Sequence, residues 1–343
     1  MKKLLLLTLF LVFGCLELGG TTCPVSQYLD QGVAVTYLDT DFKHILAGNQ
    51  LTVTFDMTNL GEATAEGITA EIIGPDNFYI LDSDSSQDFP GQALHPPDPE
   101  RCLEGNAISS TITILSRSGK QTPESGTPIR LRLHYNYTSR SWADLVVMSK
   151  EEWDKSVQAD QRPRGYQWSS AAPVKVKITV PDTPIVMDPE QSEQMVPINV
   201  RLEYSLGGEV KAVADPTTGN RQICAFRGWG GLGENIPNCV DRLSLKLQDG
   251  LAFVEHTKTF CGGVSGPGNC KFISNEDGEY TEVQLLPAKV SPDEKRAEDY
   301  VLWVKVTKPL DEIVQENLKI YADAYYQMET TYETDKVVIG HVG

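Results

Sequence analysis

Along most of this chain apolar and polar residues alternate one for one. In Leu51-Thr-Val-Thr-Phe-Asp-Met57, Leu51, Val53, Phe55 and Met57 fall on one side and the threonines and aspartate on the other. That is the period of a strand with one buried face. The same alternation recurs at Ile68 to Ile72, Thr111 to Leu115, Ile129 to Tyr137, Val174 to Val180, Ile198 to Tyr204, Leu243 to Leu247, Val301 to Val306 and Leu318 to Tyr326. Gly, Pro, Asn and Asp punctuate nearly every gap. Many short strands with turn chemistry between them predict an all-β protein of two tandem antiparallel β-sandwiches.

One segment breaks the rhythm. Ser149-Lys-Glu-Glu152 has the form of a capping box, and Trp153 and Val157 follow before Pro163. It predicts one short surface helix. Pro181-Asp-Thr-Pro184 through Glu193 is rich in proline and polar residues, so it reads as a semi-rigid linker over 182–195. The expected domains are then 21–181 and 196–343. The halves echo each other. Ile129-Arg-Leu-Arg-Leu-His-Tyr-Asn-Tyr137 matches Leu318-Lys-Ile-Tyr-Ala-Asp-Ala-Tyr-Tyr326, and each leads to a Val-Val pair, Val146-Val147 and Val337-Val338. A degenerate internal repeat is the reading, although alternating strands also match by chance.

The first twenty residues follow another rule. Lys2 and Lys3 precede an apolar run from Leu4 to Phe13 and then Gly14-Cys15. The run suits a secretory signal and falls short of the roughly 20 residues a spanning helix needs. The context of Cys15 looks like a prokaryotic lipoprotein signal, although Phe13 is bulkier than that signal normally places there. Lipidation of Cys15, simple cleavage and an uncleaved anchor all stand. A diacylglyceryl group would supply the two acyl chains that stable anchoring takes. The expected location is extracytoplasmic, anchored in the membrane at the cell surface.

Of the seven cysteines, Cys15 aside, Cys23, Cys102, Cys224, Cys239, Cys261 and Cys270 remain. An even number in an exported chain implies disulfides. If the halves fold separately, Cys23 pairs with Cys102, and the simplest arrangement of the rest is Cys224 with Cys239 and Cys261 with Cys270. No histidine is placed to complete a zinc site with them. The formal net charge of −17 repels nucleic acid and anionic lipid, so nucleic acid is excluded as a partner.

Gly48 to Gly61, with its Asn59-Leu-Gly61 turn, and the second strand from Ala65 to Ile72 resemble the immunoglobulin-like modules of prokaryotic surface proteins, of the CARDB and S-layer-associated type. The resemblance covers about 25 residues of the first half and is carried in the second by strand rhythm alone. It implies a binding or spacer module without catalysis of its own, often beside adhesion or glycan-binding domains, with archaeal envelopes a frequent setting.

Three segments carry candidate chemistry. In Cys224 to Cys239, Arg227 and Trp229 stand among glycines inside an expected disulfide clamp; they suit a recognition loop, while the plainer reading folds Trp229 over the end of the sandwich. Asp82, Asp84 and Asp88 offer closely spaced carboxylates of the kind calcium takes, without an EF-hand's glycine and distal glutamate, so a solvated loop is the ordinary reading and a structural calcium the only cofactor considered. Asn136-Tyr-Thr138 is a glycosylation sequon on an expected strand. Tyr135, Tyr137, Tyr325 and Tyr326 read as sheet-packing residues.

For catalysis there is no Gly-x-Ser-x-Gly elbow, phosphate loop or dinucleotide fingerprint, and the five histidines are scattered. The expectation is a lipid-anchored, non-catalytic adhesion, interaction or structural module that meets an envelope protein or glycan. A carbohydrate- or solute-binding lipoprotein serving an envelope enzyme or transporter is the alternative.

Overall fold

Two unusually long strands, Thr127–Ser149 and Gln315–Gly340, pair antiparallel for most of their length and organise everything else. The structure is a computed structural model and describes residues 28–73, 78–80, 86–117, 125–159, 163–182, 184–188, 194–204, 209–211, 225–227, 233–235, 239–254, 270–286, 288–290, 300–307 and 314–340.

In the first half the strands are β1 (Val33–Thr40), β2 (His44–Leu46), β3 (Gln50–Asn59), β4 (Glu66–Ile73), β5 (Phe78–Ile80), β6 (Ser86–Asp88), β7 (Ala107–Ser116) and β8 (Thr127–Ser149). Helix α1 (Lys150–Gln158) follows, then β9 (Gln167–Ser169), β10 (Val174–Thr179), β11 (Ile185–Met187), β12 (Met195–Tyr204) and β13 (Glu209–Lys211). After these come β14 (Ala225–Arg227), β15 (Gly233–Asn235), β16 (Cys239–Val240), β17 (Arg242–Leu247), β18 (Leu251–Phe253), β19 (Cys270–Ser274), β20 (Tyr280–Leu285), β21 (Ala288–Lys289), β22 (Tyr300–Val306) and β23 (Gln315–Gly340).

The fold is all-β, of antiparallel sandwiches with one short helix among the described residues. In the first sandwich the sheet β1-β3-β7-β5 faces β4, β8 and the end of β23. Leu51, Val53, Phe55 and Met57 are buried, as their alternation predicts, against Ile68, Ala70 and Ile72 of β4 and the odd-numbered side chains of β8. Each large apolar side chain so buried contributes about 1.5–3 kcal/mol. In the second sandwich β10-β12-β22 faces the later part of β8, the earlier part of β23, and β17.

The echo between the halves has a structural counterpart. β1, β3 and β7 pair as β10, β12 and β22 do; β4 borders β8 as β17 borders β23; β2 lies parallel to the end of β23 as β11 does to the end of β8. Tyr137 is directly opposite Tyr326, so the matching segments 129–137 and 318–326 meet there and run apart. From Ile129 to Val147 every odd position of β8 is buried. On β23 the even positions Leu318 to Thr330 are buried, and a register shift between Glu333 and Lys336 then turns Val337 and Ile339 inward.

Strand pairing runs across the division read from composition. β10 pairs with β12, on the other side of the expected linker, and the end of β23 lies in the first sandwich, with Val338–Gly340 beside His44–Leu46. Within 182–195 itself, Ile185 and Met187 are buried and β11 adds to β8. Proline content reports a break in local hydrogen bonding, whereas membership of a sandwich is set by which sheet edge the strand finds.

Helix α1 forms where the capping box places it. The Ser149 hydroxyl accepts from the Glu152 amide at 3.3 Å, and the helix buries none of its residues, as expected of a surface element. The Asn59-Leu-Gly61 turn is held by the Asn59 amide, which donates to the Ala63 and Leu94 carbonyls at 2.7 Å each, while its oxygen accepts from Gly61 N at 3.0 Å. A Cβ on Gly61 would lie 2.1 Å from the Tyr137 hydroxyl, so only glycine fits.

Candidate functional site

The second sandwich is open along one side, between β9 in one layer and β10 in the other. β9 adds to the edge of β8 with Trp168 opposite Trp142, Ser169 opposite Ser141 and Gln167 opposite Ala143. Because side chains alternate across a strand, Trp142 points away from the core that Ser141 and Ala143 face. Tyr321 of β23 is the next partner across, so Trp168, Trp142 and Tyr321 stand in one row over three strands. Trp168 is 39% and Tyr321 41% exposed. The Lys319 ammonium sits 4.0 Å from the centroid of the Trp142 ring, a cation–π contact that fixes the ring.

Both walls are anchored by buried polar contacts. The Asp144 amide donates to the Tyr166 carbonyl at 2.7 Å, and the Asp144 carboxylate accepts from the Tyr166 amide at 3.3 Å, which sets the start of β9. Gly165 permits this approach, since a Cβ there would lie 2.4 Å from the Asp144 carbonyl oxygen. Ser170 N donates to the Arg140 carbonyl at 2.8 Å, and Arg140 N donates back to the Ser170 hydroxyl at 2.9 Å. On the other wall, Val174 N donates to the Tyr326 hydroxyl at 3.2 Å and Ser139 donates to the Val174 carbonyl. Burial pushes the Tyr326 phenol well above the ordinary tyrosine range, so it stays a neutral hydrogen-bonding group.

Between these walls lies a groove of about 290 Å³ lined by Trp142 and Trp168, Gln167 and Ser169, and Lys177 and Glu203. A second hollow of about 640 Å³ continues it beneath α1, sharing Gln167 and Lys177 and adding Trp153 and Tyr166. Lys175, also on the first groove, pairs with Asp30 at 2.6 Å, and Lys177 lies 3.9 Å from Glu203. The Ser169 hydroxyl and one Glu203 carboxylate oxygen are buried without a hydrogen-bond partner. Aromatic faces with a few convergent polar groups are the ordinary make-up of a small-ligand site.

Sequence reasoning missed this site. Its signal was an aromatic on the polar side of an alternating strand, at Trp142, and a second at Trp168. Nothing local says that the two become neighbours.

The residues singled out from the sequence are placed as follows. Cys15, Cys23, Asp82, Asp84, Cys224, Trp229 and Cys261 lie outside the described residues, as does the side chain of Arg227, whose backbone ends β14 opposite Gly233. Cys102, Cys239 and Cys270 are disulfide-bonded. Asp88 ends β6, where its carboxylate accepts from the Thr69 hydroxyl at 2.9 Å. Among the described residues no group of three or more His, Cys, Asp or Glu could hold a metal. Asn136 stands within β8 between Glu66 and Gln327 on the neighbouring strands, with its amide nitrogen 2.8 Å from where a Cβ on Gly67 would be. Tyr135, Tyr137 and Tyr326 are fully buried and Tyr325 is half-buried, which agrees with sheet packing. Among the described residues no helix is long and apolar enough to cross a membrane.

No family model and no curated protein matches the chain. Among solved structures it is similar to ACE of Enterococcus faecalis, described as binding its ligands by the collagen hug, at 8% identity over 90% of this chain and 97% of that one, with a TM-score of 0.19. It is also similar to the collagen adhesin CNA of S. aureus at 8% identity, over 90% and 91% of the two chains, with a TM-score of 0.09. Likenesses this slight carry no argument about ligand or mechanism.

Proposed function

We propose that this chain is an exported, non-catalytic binding module, held at the membrane surface by a diacylglyceryl group on Cys15, that engages an envelope protein or glycan. The observation that supports this reading is the seam of the second sandwich, where Trp142 and Trp168 border a groove whose polar groups come from both layers. The first sandwich is the membrane-proximal stalk and the second the presenting head. Confinement at a surface raises effective concentration, so modest affinity suffices. The immunoglobulin-like resemblance to CARDB and S-layer-associated modules agrees with such a role, and the alternative of a solute-binding partner to an envelope transporter uses the same groove.

Two measurements test the proposal. Cys15→Ser should move the expressed protein from the detergent phase to the aqueous phase. The mature chain should bind a fractionated envelope extract saturably, and Trp142→Ala/Trp168→Ala should abolish that binding while the thermal unfolding profile stays cooperative. Binding untouched by the double variant would place the site elsewhere, and absence of any binding would leave a structural spacer.

A further inference from the structure

Resting on that reading, we infer that the seam takes an extended peptide segment of the partner protein, added as a further strand on the free edge of β9.

The hydrogen-bond parity of β9 leaves that edge open. The Asp144 amide donates to the Tyr166 carbonyl and the Ser170 amide to the Arg140 carbonyl, and Trp168 stands opposite Trp142 midway between them. Tyr166, Trp168 and Ser170 therefore turn their backbone groups towards β8, and Gln167 and Ser169 turn theirs the other way. Among the described residues no hydrogen bond reaches those four amide and carbonyl groups. A row of unpaired N–H and C=O groups is a template for another strand.

The devices that blunt other edges are missing here. β10, the edge of the facing layer, carries Lys175 and Lys177, and its Val174 amide and carbonyl are taken by Tyr326 and Ser139. β9 is Gln167-Trp168-Ser169, without a charge or a proline. The space beside it is long enough. The groove of about 290 Å³ runs between 167–169 and 175–178, and the hollow of about 640 Å³ continues it between 163–167 and 177–182. Together they follow the chain from Pro163 to Ser169, which is room for a strand of about five or six residues.

Side-chain alternation says which peptide fits. On an added strand every second side chain falls beside Trp168, in the row that already holds Trp142 and Tyr321. Trp168 is 39% exposed because it has no cross-strand neighbour on that side, and an aromatic or β-branched residue is its best pair. The alternate side chains fall beside Gln167 and Ser169 on the opposite face, where threonine or serine suits. The segment so defined alternates aromatic or β-branched residues with small hydroxyl residues.

The test applies the mature chain to immobilised synthetic peptides that alternate valine, isoleucine or tyrosine with threonine or serine, beside dextran and polygalacturonate. Each peptide is also made with alternate backbone amides N-methylated, in one register or the other. The expected result is saturable binding of at least one peptide series. N-methylation should abolish it in one register and spare it in the other, because only alternate amides of an added strand face β9. Gln167→Pro removes an edge donor without breaking a bond to β8, so cooperative thermal unfolding should persist while binding of peptide and of envelope extract falls about ten-fold. Trp168→Ala should weaken peptide binding several-fold through the lost cross-strand pair. Peptide binding that survives N-methylation in both registers, or that a folded Gln167→Pro leaves unchanged, overturns strand addition. Binding confined to the polysaccharides does the same, and self-association of the chain that Gln167→Pro removes would give the edge to a second copy instead. If no peptide binds while envelope extract is still retained through Trp142 and Trp168, strand addition is wrong and the binding-module reading survives; if neither binds, both fall.

Discussion

The Tyr326 hydroxyl lies 2.9 Å from that of Ser139 in the buried centre of the second sandwich, directly over the point where β10 crosses the two long strands. Through Val174 this pair holds one wall of the groove, so a core contact and the candidate site share a hinge point. Tyr326→Phe keeps the ring and removes the oxygen. It leaves the Val174 amide buried without its acceptor, at a cost of about 1–3 kcal/mol. Denaturant unfolding should show that loss. Ligand binding should weaken as well, because β10 is less firmly seated.

Alkaline pH should destabilise the protein through its buried phenols. Desolvation raises Tyr204 to about 12, pushes Tyr137 and Tyr326 higher still, and holds Tyr135 well above the ordinary value of 10.0. A group whose folded-state value is raised contributes its stability in full below the unfolded value and loses it as pH rises from there through the folded value. Stability should therefore be insensitive to these tyrosines below pH 10.0 and fall above it. Phenolate absorbance and circular dichroism should change together for these four; phenolate forming in the intact fold would contradict the assignment.

Gly61→Ala should be among the costlier small substitutions. The new methyl would collide with the Tyr137 hydroxyl at 2.1 Å, and that hydroxyl also accepts from the Ala63 amide at 3.0 Å. Forced overpacking costs about 1–3 kcal/mol. Gly91→Ala meets nothing within 4 Å and bears only the cost of its φ of +73°. The lowering of the unfolding midpoint should be clearly larger for Gly61→Ala than for Gly91→Ala.

Reduction should weaken the fold, since Cys102, Cys239 and Cys270 are disulfide-bonded. Non-reducing peptide mapping should link them to Cys23, Cys224 and Cys261 respectively. Removing one native bridge typically costs about 2–5 kcal/mol, so Cys102→Ala should lower the melting temperature under oxidising conditions and have little further effect once reductant is present.

What the sequence by itself determined was everything governed by neighbours along the chain. The alternation in Leu51 to Met57 marks a buried face because a strand turns every second side chain inward, and Ser149 with Glu152 caps α1 because the bond spans three residues. The echo of Ile129–Tyr137 in Leu318–Tyr326 was legible for the same reason, as each copy must bury one face of its own long strand.

Only the tertiary structure decided which sheet edge each strand joins. The register shift between Glu333 and Lys336 and the passage of β23 into the first sandwich follow from cross-strand fit, to which local alternation is indifferent. Trp142 and Trp168 each looked like an isolated aromatic in sequence, and they became one surface because β9 pairs with β8 rather than with β10, its nearer neighbour in the chain. Local pattern states which face of a strand is buried; long-range pairing, won by packing and hydrogen bonds summed over whole strands, states what the other face meets.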